Sequence, residues 1–319
     1  MSHAIRITVL MPAYNSEKYI GMAIQSVLDQ SFTDFELLIV NDGSADDTEA
    51  VIRSFTDERI VLVNQVNGGV SVALNTGLQM ARGKYIVRFD SDDICYADRL
   101  AVQFAFMEAN SDHVLTGSDV DYVTEEGDFI YHHHCFAYGA EELSAKLYFY
   151  CPFIHSAVMY RKDAVMKLGG YDTRAHTFED YFLWVHLFAE GKMANLPRSL
   201  IKVRLNPASV TIDEKWRGRK FRKLKKKIIL KASISQKEED ALLRILQEQD
   251  RHRVKHGAYY ALVGKKYLVN NYKPQKARAY IRKAISIHPY RPDLYALYLL
   301  SFLSKKMIDL LHSFSLNRL

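Results

Sequence analysis

Residues 85–93 read Tyr-Ile-Val-Arg-Phe-Asp-Ser-Asp-Asp, an apolar run that ends in three carboxylates, Asp90, Asp92 and Asp93. A short β-branched and aromatic run before a charged turn reads as a buried strand. The carboxyl ends of such strands are where open α/β sheets bind ligands. Like charges gathered there repel and resist desolvation unless a cation neutralises them. Oxygen ligands at Asp-x-Asp spacing suit Mg2+ or Mn2+, and such ions usually share a phosphate. The stretch therefore points to a nucleoside-diphosphate site.

The first hundred residues alternate strand and helix. Strands are expected at 5–11, 35–40, 60–64 and 85–89, each β-branched and apolar. Between them, Ile20, Ala23, Ile24, Val27 and Leu28 recur at helical spacing behind a cap at Asn15 or Ser16. Asp46 or Asp47 opens a second helix, and 67–80 forms a third with Gly83 as its C-terminal cap. Strands and helices in alternation predict an α/β fold, a Rossmann-like and mostly parallel sheet flanked by helices. Further helices are expected at 97–110, 141–150 and 179–190, a β-rich stretch at 113–138, and strands at 157–160 and 201–205. After Pro207 the texture turns basic and helical. The expected division is a catalytic domain over 1–212 and a helical C-terminal region over 213–319. Within the latter, Ala277, Tyr280, Ala284 and Pro289 follow the pattern of one tetratricopeptide unit, although such arrays normally need three.

Four clusters can meet at one end of this sheet: Pro12-Ala13-Tyr14-Asn15, Asp42, Asp90-Ser91-Asp92-Asp93 and Glu179-Asp180. Asp42 can accept from a base N–H or a ribose hydroxyl, or it can serve as a turn former in Asn-Asp-Gly-Ser. Glu179-Asp180 opens a helix, where the macrodipole favours carboxylates. It can also supply a general base, which a hydroxyl nucleophile needs at neutral pH. His132-His133-His134 looks like a metal tract, but neighbours on a strand point to opposite faces, so only alternate histidines can converge. An exposed edge is the competing reading. His155 reads either as a border of an acceptor pocket or as a satisfied structural histidine. No Gly-x-Gly-x-x-Gly follows any strand, which argues against a dehydrogenase.

Taken in order, the segments resemble family 2 glycosyltransferases of the GT-A fold. They are 9–15, 39–48, 67–71, 75–77, 81–86, 89–93, 155–161, 169–172 and 179–184, about two-thirds of the chain. The resemblance implies inverting, metal-assisted transfer of a hexosyl or N-acetylhexosaminyl group. The donor is a nucleotide-diphosphate sugar, a UDP-sugar foremost, and the acceptor a hydroxyl of a glycan or lipid-linked acceptor in cell-surface polysaccharide assembly. It implies a donor site of Pro12, Ala13, Tyr14, Asn15, Asp42, Asn67, Asp90 and Ser91. The Mn2+ or Mg2+ ligands would be Asp92 and Asp90, and the catalytic base Asp180 beside Glu179. His155, Trp184 and Asp93 fall on the acceptor side. Two positions depart from the pattern. Leu74 stands where relatives often carry Arg, leaving a phosphate contact to Arg88 or Lys84. Asn206 stands where they often carry His.

Two other readings stay open. A nucleotidyltransferase also pairs Asp with a metal, but it normally shows a basic glycine-rich loop near the first strand. A catalytically silent binding or scaffold protein would keep the fold without needing the carboxylates.

The net charge of +6 is uneven: 216–231 holds nine Lys or Arg and no acid. With Trp216, Phe221 and Leu224 interleaved, this segment is expected to lie on an anionic membrane surface or to be a solvated helix face. No nucleic-acid-binding module accompanies the charge. Three widely spaced cysteines fit free thiols in a reducing cytoplasm. No signal-like stretch opens the chain, and 294–303 is too short to span a bilayer. A cytoplasmic protein, peripheral on the membrane face, is the expectation.

Overall fold

The computed structural model describes residues 5–207, 218–249 and 252–316. It divides into two compact units. The first comprises Met1–Val120, His133–Val203 and Lys226–Ser235. The second comprises Asp121–His132, Arg204–Lys225 and Gln236–Leu319. The expected boundary at 212/213 falls outside the described residues.

The strands are β1 (Ile7–Ala13), β2 (Phe35–Asn41), β3 (Ile60–Asn64), β4 (Tyr85–Arg88), β5 (Ile94–Cys95), β6 (His113–Val123), β7 (Phe129–His133), β8 (Met159–Arg161) and β9 (Lys192–Arg204). The sheet order is β3-β2-β1-β4-β8-β6-β9-β5, with β7 paired to β6. The first four strands are parallel, and β8 joins β4 antiparallel. Strands buried on both faces need continuous apolar runs, and β1 and β2 have them.

The chain moves outward from β1 to β2 to β3, then returns to place β4 on the other side of β1. That reversal is a topological switch point, where the loops leaving β1 and β4 part and open a crevice. Leu10 pairs with Arg88 in this register. The chain after Ala13 and the segment from Asp90 therefore leave from adjacent strands at the same end of the sheet.

Helices α1 (Ile20–Leu28), α2 (Thr48–Arg53), α3 (Val70–Met80), α4 (Arg99–Ala109), α5 (Ala140–Lys146), α6 (Lys162–Lys167) and α7 (Glu179–Leu187) belong to the first unit. Ile20, Ala23, Ile24 and Val27 of α1 are buried, as their spacing predicts. The cap differs from expectation. Tyr19 is the N-cap and makes no side-chain bond. Asn15 and Ser16 instead turn their side chains to neighbouring loops. Strand 157–160 begins as a 3-10 turn, His155–Ala157, before β8.

Gly83 does not cap α3, whose C-cap is Ala81. It is there because β1 passes too close for a side chain. A Cβ on Gly83 would lie 2.4 Å from the Thr8 nitrogen and 2.6 Å from the Ile7 carbonyl carbon. Backbone cannot yield as a side-chain tip can. Gly83→Ala is expected to destabilise the fold by about 2–3 kcal/mol, read as a lower midpoint in urea with an unchanged slope.

In the second unit a hairpin from β6 and β7 meets helices α9 (Gln236–Gln249), α10 (His252–Val269), α11 (Pro274–Ile287), α12 (Pro292–Leu300) and α13 (Lys305–Leu316). Its core holds Ile130, Tyr259, Val263, Tyr267, Ala277 and Ile281. Ala277 and Ala284 are fully buried on α11.

Helix α8 (Gly218–Lys231) corrects one expectation. Phe221, Ile228 and Ile229 are buried and Leu224 is half-buried. These residues pack against protein and are not free to enter lipid. Arg219, Lys220, Arg222, Lys223 and Lys226 form an exposed cationic face. Trp216 and Arg217 lie outside the described residues. No helix among the described residues is long and apolar enough to cross a membrane.

Candidate active site

The exits of β1 and β2 are tied together by short bonds. The Asn15 amide donates to Ser44 Oγ at 3.0 Å, and Asn15 Oδ1 accepts from the Ala45 amide at 2.8 Å. Asn15 holds φ +48° to do this, a conformation that asparagine tolerates better than most residues. Ala13 is buried, Pro12 half-buried, and Tyr14 stands exposed beside them.

Asp42 is 3% exposed, and its carboxylate is engaged. Oδ1 accepts from Gln65 Nε2 at 2.6 Å and from the Gly68 amide at 2.9 Å, and Oδ2 accepts from the Gly69 amide at 2.8 Å. Asn67 Nδ2 donates to the Asp42 carbonyl at 3.0 Å. Asp42 therefore anchors the loop that leads into α3, with Asn67 exposed on that loop.

After β4, one carboxylate oxygen each of Asp90, Asp92 and Asp93 lies within 4.8 Å of the others. Asp90 and Asp92 are half-buried and Asp93 is buried. Three carboxylates this close form an all-oxygen donor set of the kind hard divalent cations take. Ser91 Oγ is 2.7 Å from Ser16 Oγ, which links this loop to the β1 exit. The Asp90 amide donates to Ser156 Oγ at 3.0 Å.

Arg88, nearly buried at the end of β4, forms an ion pair with Asp90. Burial works to lower its pKa, but the charge and hydrogen bond of Asp90, with help from Asp93, hold it above the ordinary value. Its Nε has no hydrogen-bond partner among the described residues. Lys84 lies just before the other end of the same strand, about 13 Å away at strand rise, and pairs with Glu108 at 2.6 Å. Of the two cations considered for a phosphate, only Arg88 is near the crevice.

Glu179 and Asp180 open α7, and Glu179 is buried. Burial, and then the charges of Asp180 and Asp90, push the Glu179 carboxyl up to about 7, against the opposing pull of Arg88. Those charges place Glu179 in electrostatic reach of the β4 carboxylates. Asp180 is half-buried, and its Oδ1 accepts from the Tyr181 amide at 2.6 Å. Its Oδ2 lies 3.9 Å from the Cys151 thiol.

A raised carboxyl stabilises the fold only while protonated. The Glu179 contribution is complete below its ordinary value of 4.5 and is lost as pH rises through about 7. Glu179→Gln is therefore expected to flatten the alkaline side of the stability profile. It should raise the stability of metal-free protein near pH 8 by roughly 2–3 kcal/mol, with little change near pH 4, in denaturant titrations at both pH values.

His155 Nε2 is 3.0 Å from the Tyr171 hydroxyl, and its ring stands at 79° to the Trp184 ring. Burial, then the Arg88 charge, hold its pKa well below the ordinary value, so it is neutral. Tyr171 is placed by Asn75, whose amide bonds both the Tyr171 nitrogen and its carbonyl at 2.8 Å. Gly170 holds φ +84°, and a Cβ there would lie 2.4 Å from Asn75 Oδ1.

Trp184 is fully buried among Phe153, His155 and Tyr160. The resemblance places it on the acceptor side; in the structure it is buried behind His155, with the two rings 5.8 Å apart. Asp93 is likewise buried with the carboxylate cluster. Leu74 is in the core, and Asn206 belongs to the second unit. Ser16, Ser156 and Tyr171 were missed as positioning residues. Ser156 and Tyr171 lay inside matched segments, but nothing in their spacing said what they would bond.

Residues 8–169 match the profile described as Glycosyl transferase family 2, and the chain belongs to that family. An "O-antigen biosynthesis glycosyltransferase WbnJ" of Escherichia coli is 30% identical over 213 residues, 64% of this chain and 81% of that one. An "Uncharacterized glycosyltransferase" of Rickettsia felis is 30% identical over 210 residues, 66% of this chain. This chain spans only 34% of that relative's length.

Among solved structures, S. aureus TarS 1–349 in complex with UDP-GlcNAc superposes with a TM-score of 0.56 at 17% identity, covering 90% of this chain and 93% of that one. The mannosyltransferase PcManGT of Pyrobaculum calidifontis, in complex with GDP-Man and Mn2+, gives 0.55 at 16%, covering 95% and 88%. At these identities the likeness is one of fold, and the fold is GT-A.

Proposed function

We propose that this protein is an inverting glycosyltransferase that moves a sugar from a nucleotide-diphosphate donor to a hydroxyl acceptor. The observation that carries the reading is the convergence of Asp90, Asp92 and Asp93 at the end of β4, with Glu179, the neighbour of Asp180, in electrostatic reach of Asp90. The loops at Pro12–Asn15 and Asp42–Asn67 would border the nucleotide. Asp90 and Asp92 would hold Mn2+ or Mg2+, and Arg88 would lie near the diphosphate. A divalent cation bound there would offset charge on the departing nucleoside diphosphate.

In the reaction, Asp180 takes the proton of the acceptor hydroxyl as that oxygen bonds to the anomeric carbon. The bond from that carbon to the diphosphate breaks on the opposite side, and its electron pair leaves with the β-phosphate oxygen. One displacement inverts the centre. Neutral His155, held by Tyr171, can donate or accept a hydrogen bond at the acceptor side without adding charge.

The UDP-GlcNAc of TarS and the GDP-Man of PcManGT support a nucleotide-sugar donor, and we take a UDP-sugar first. The O-antigen role in the name of the E. coli relative supports a glycan or lipid-linked acceptor in surface polysaccharide assembly. Such an acceptor would bring the protein to the cytoplasmic membrane face, and the α8 cations would offer attraction to it.

Calorimetric titration of UDP-GlcNAc and GDP-mannose, with Mn2+ and with EDTA, tests the donor site directly. At least one donor should bind, and more weakly by about tenfold or more after chelation. A protein that binds neither nucleotide sugar nor free nucleoside diphosphate would instead fit the scaffold reading.

A further inference from the structure

Helix α12 has one charge, Asp293 in its first turn, paired with Arg291, and is apolar on every side beyond it. From Leu294 to Ser304 no charged residue interrupts the chain. A helix of that kind belongs inside a protein or against lipid. Here only one side is covered. Leu294 is buried against Ala261 and Ala284, while Tyr295, Leu299 and Phe302, at helical spacing, stay 43%, 68% and 61% exposed. The next helix repeats the arrangement. In α13 Ile308 is buried, whereas Met307, Leu310 and Leu311 are about half exposed.

The charges around this face indicate what covers it. Arg278 lies 4.7 Å over the Phe302 ring and donates to the Ser301 carbonyl at 2.8 Å. Arg282 donates twice to the Tyr298 hydroxyl, at 3.0 and 2.7 Å. Lys305 and Lys306 open α13 and are exposed. Cations in a first turn oppose the helix macrodipole, so these lysines do not serve the helix itself. Asp309 is the sole acid from Lys305 to Leu316. A second copy docked on this face would set lysines against lysines. Anionic headgroups above an apolar layer match both the cationic rim and the exposed leucines, with tyrosine at the interfacial level.

We infer that α12 and α13 form an interfacial docking surface for an anionic phospholipid bilayer. The contact lies in the headgroup plane, since no described helix can cross. It adds apolar anchorage to α8, where Phe221 and Ile228 are buried and Leu230 is exposed. It depends on no step of the transfer reaction.

Flotation with vesicles of equimolar phosphatidylglycerol and phosphatidylcholine, and of phosphatidylcholine alone, tests it on the full chain. Wild type should float with the anionic vesicles and keep part of that binding at high salt. The triple variant Leu299→Ser, Phe302→Ser, Leu310→Ser should lose about 100-fold in affinity. Its donor hydrolysis and circular dichroism should not change, because all three side chains are exposed. Lys305→Glu with Lys306→Glu should erase the preference for the anionic vesicles. Wild type that does not float overturns the inference, as does a triple variant that floats as well as wild type. Sedimentation showing a dimer that the triple variant abolishes, with no vesicle binding, would assign the face to a second copy instead.

Discussion

Asp180→Asn is expected to lower turnover by about 10²–10⁴-fold while leaving donor affinity within a few-fold. The substitution keeps the shape of the side chain, and the Tyr181 amide can still donate to the amide oxygen. What it removes is the ability to take a proton from the acceptor hydroxyl. In the proposed function the donor is held by the loops after β1, β2 and β4, so its binding should survive. Glu179→Gln provides the contrast. Glu179 is buried and its upper oxygen, Oε2, has no hydrogen-bond partner among the described residues. It bears on Asp180 through charge alone. Its neutralisation should lower turnover by no more than about tenfold and should move the acid limb of the pH–rate profile, because one repulsive neighbour of the base is gone. Steady-state rates and donor KM for both variants separate the two roles. Equal losses in both would contradict Asp180 as the base.

Asp92→Asn is expected to cost about 10³-fold in turnover at low metal concentration and to recover in part at high Mn2+. The three carboxylates after β4 lie close enough to repel strongly in the absence of a cation. Removing one charge weakens the metal site but relieves that repulsion. The same variant should therefore be more stable than wild type in EDTA and less stabilised by added Mn2+. Thermal melts with and without metal read this sign reversal. A variant that loses activity and stability together, whatever the metal, would point to Asp92 as a structural residue.

The sheet was legible because burial leaves a plain mark. Ile7–Ala13 and Phe35–Asn41 are apolar without interruption, as strands covered on both faces must be. β9 was harder. Its first residues include Lys192, Asn195 and Pro197, which break any strand pattern, and only its end was recognised. β5 has two residues and carries no periodicity at all.

The carboxylates were legible for the same reason that β4 was: acids directly after a buried strand demand an explanation. Pairings set by register were not. Tyr171 on His155 and Ser16 on Ser91 join residues 16 and 75 positions apart, and no local spacing encodes them. Asp42 left two readings open, and its three bonds to Gln65, Gly68 and Gly69 show it fixing the loop. For α8, composition reported the charge correctly but could not say which way Phe221 faces. An amphipathic helix packs its apolar stripe against protein or lipid with the same sequence pattern.

The most direct test of the account is nucleoside diphosphate release from a panel of UDP-, GDP- and dTDP-sugars, with Mn2+ or Mg2+ and with EDTA. Wild type, Asp92→Asn and Asp180→Asn would be measured side by side. The account predicts release from one donor that needs the metal and falls steeply in both variants. Release that is indifferent to EDTA and to Asp92→Asn would contradict it, as would no release from a chain that binds no nucleotide.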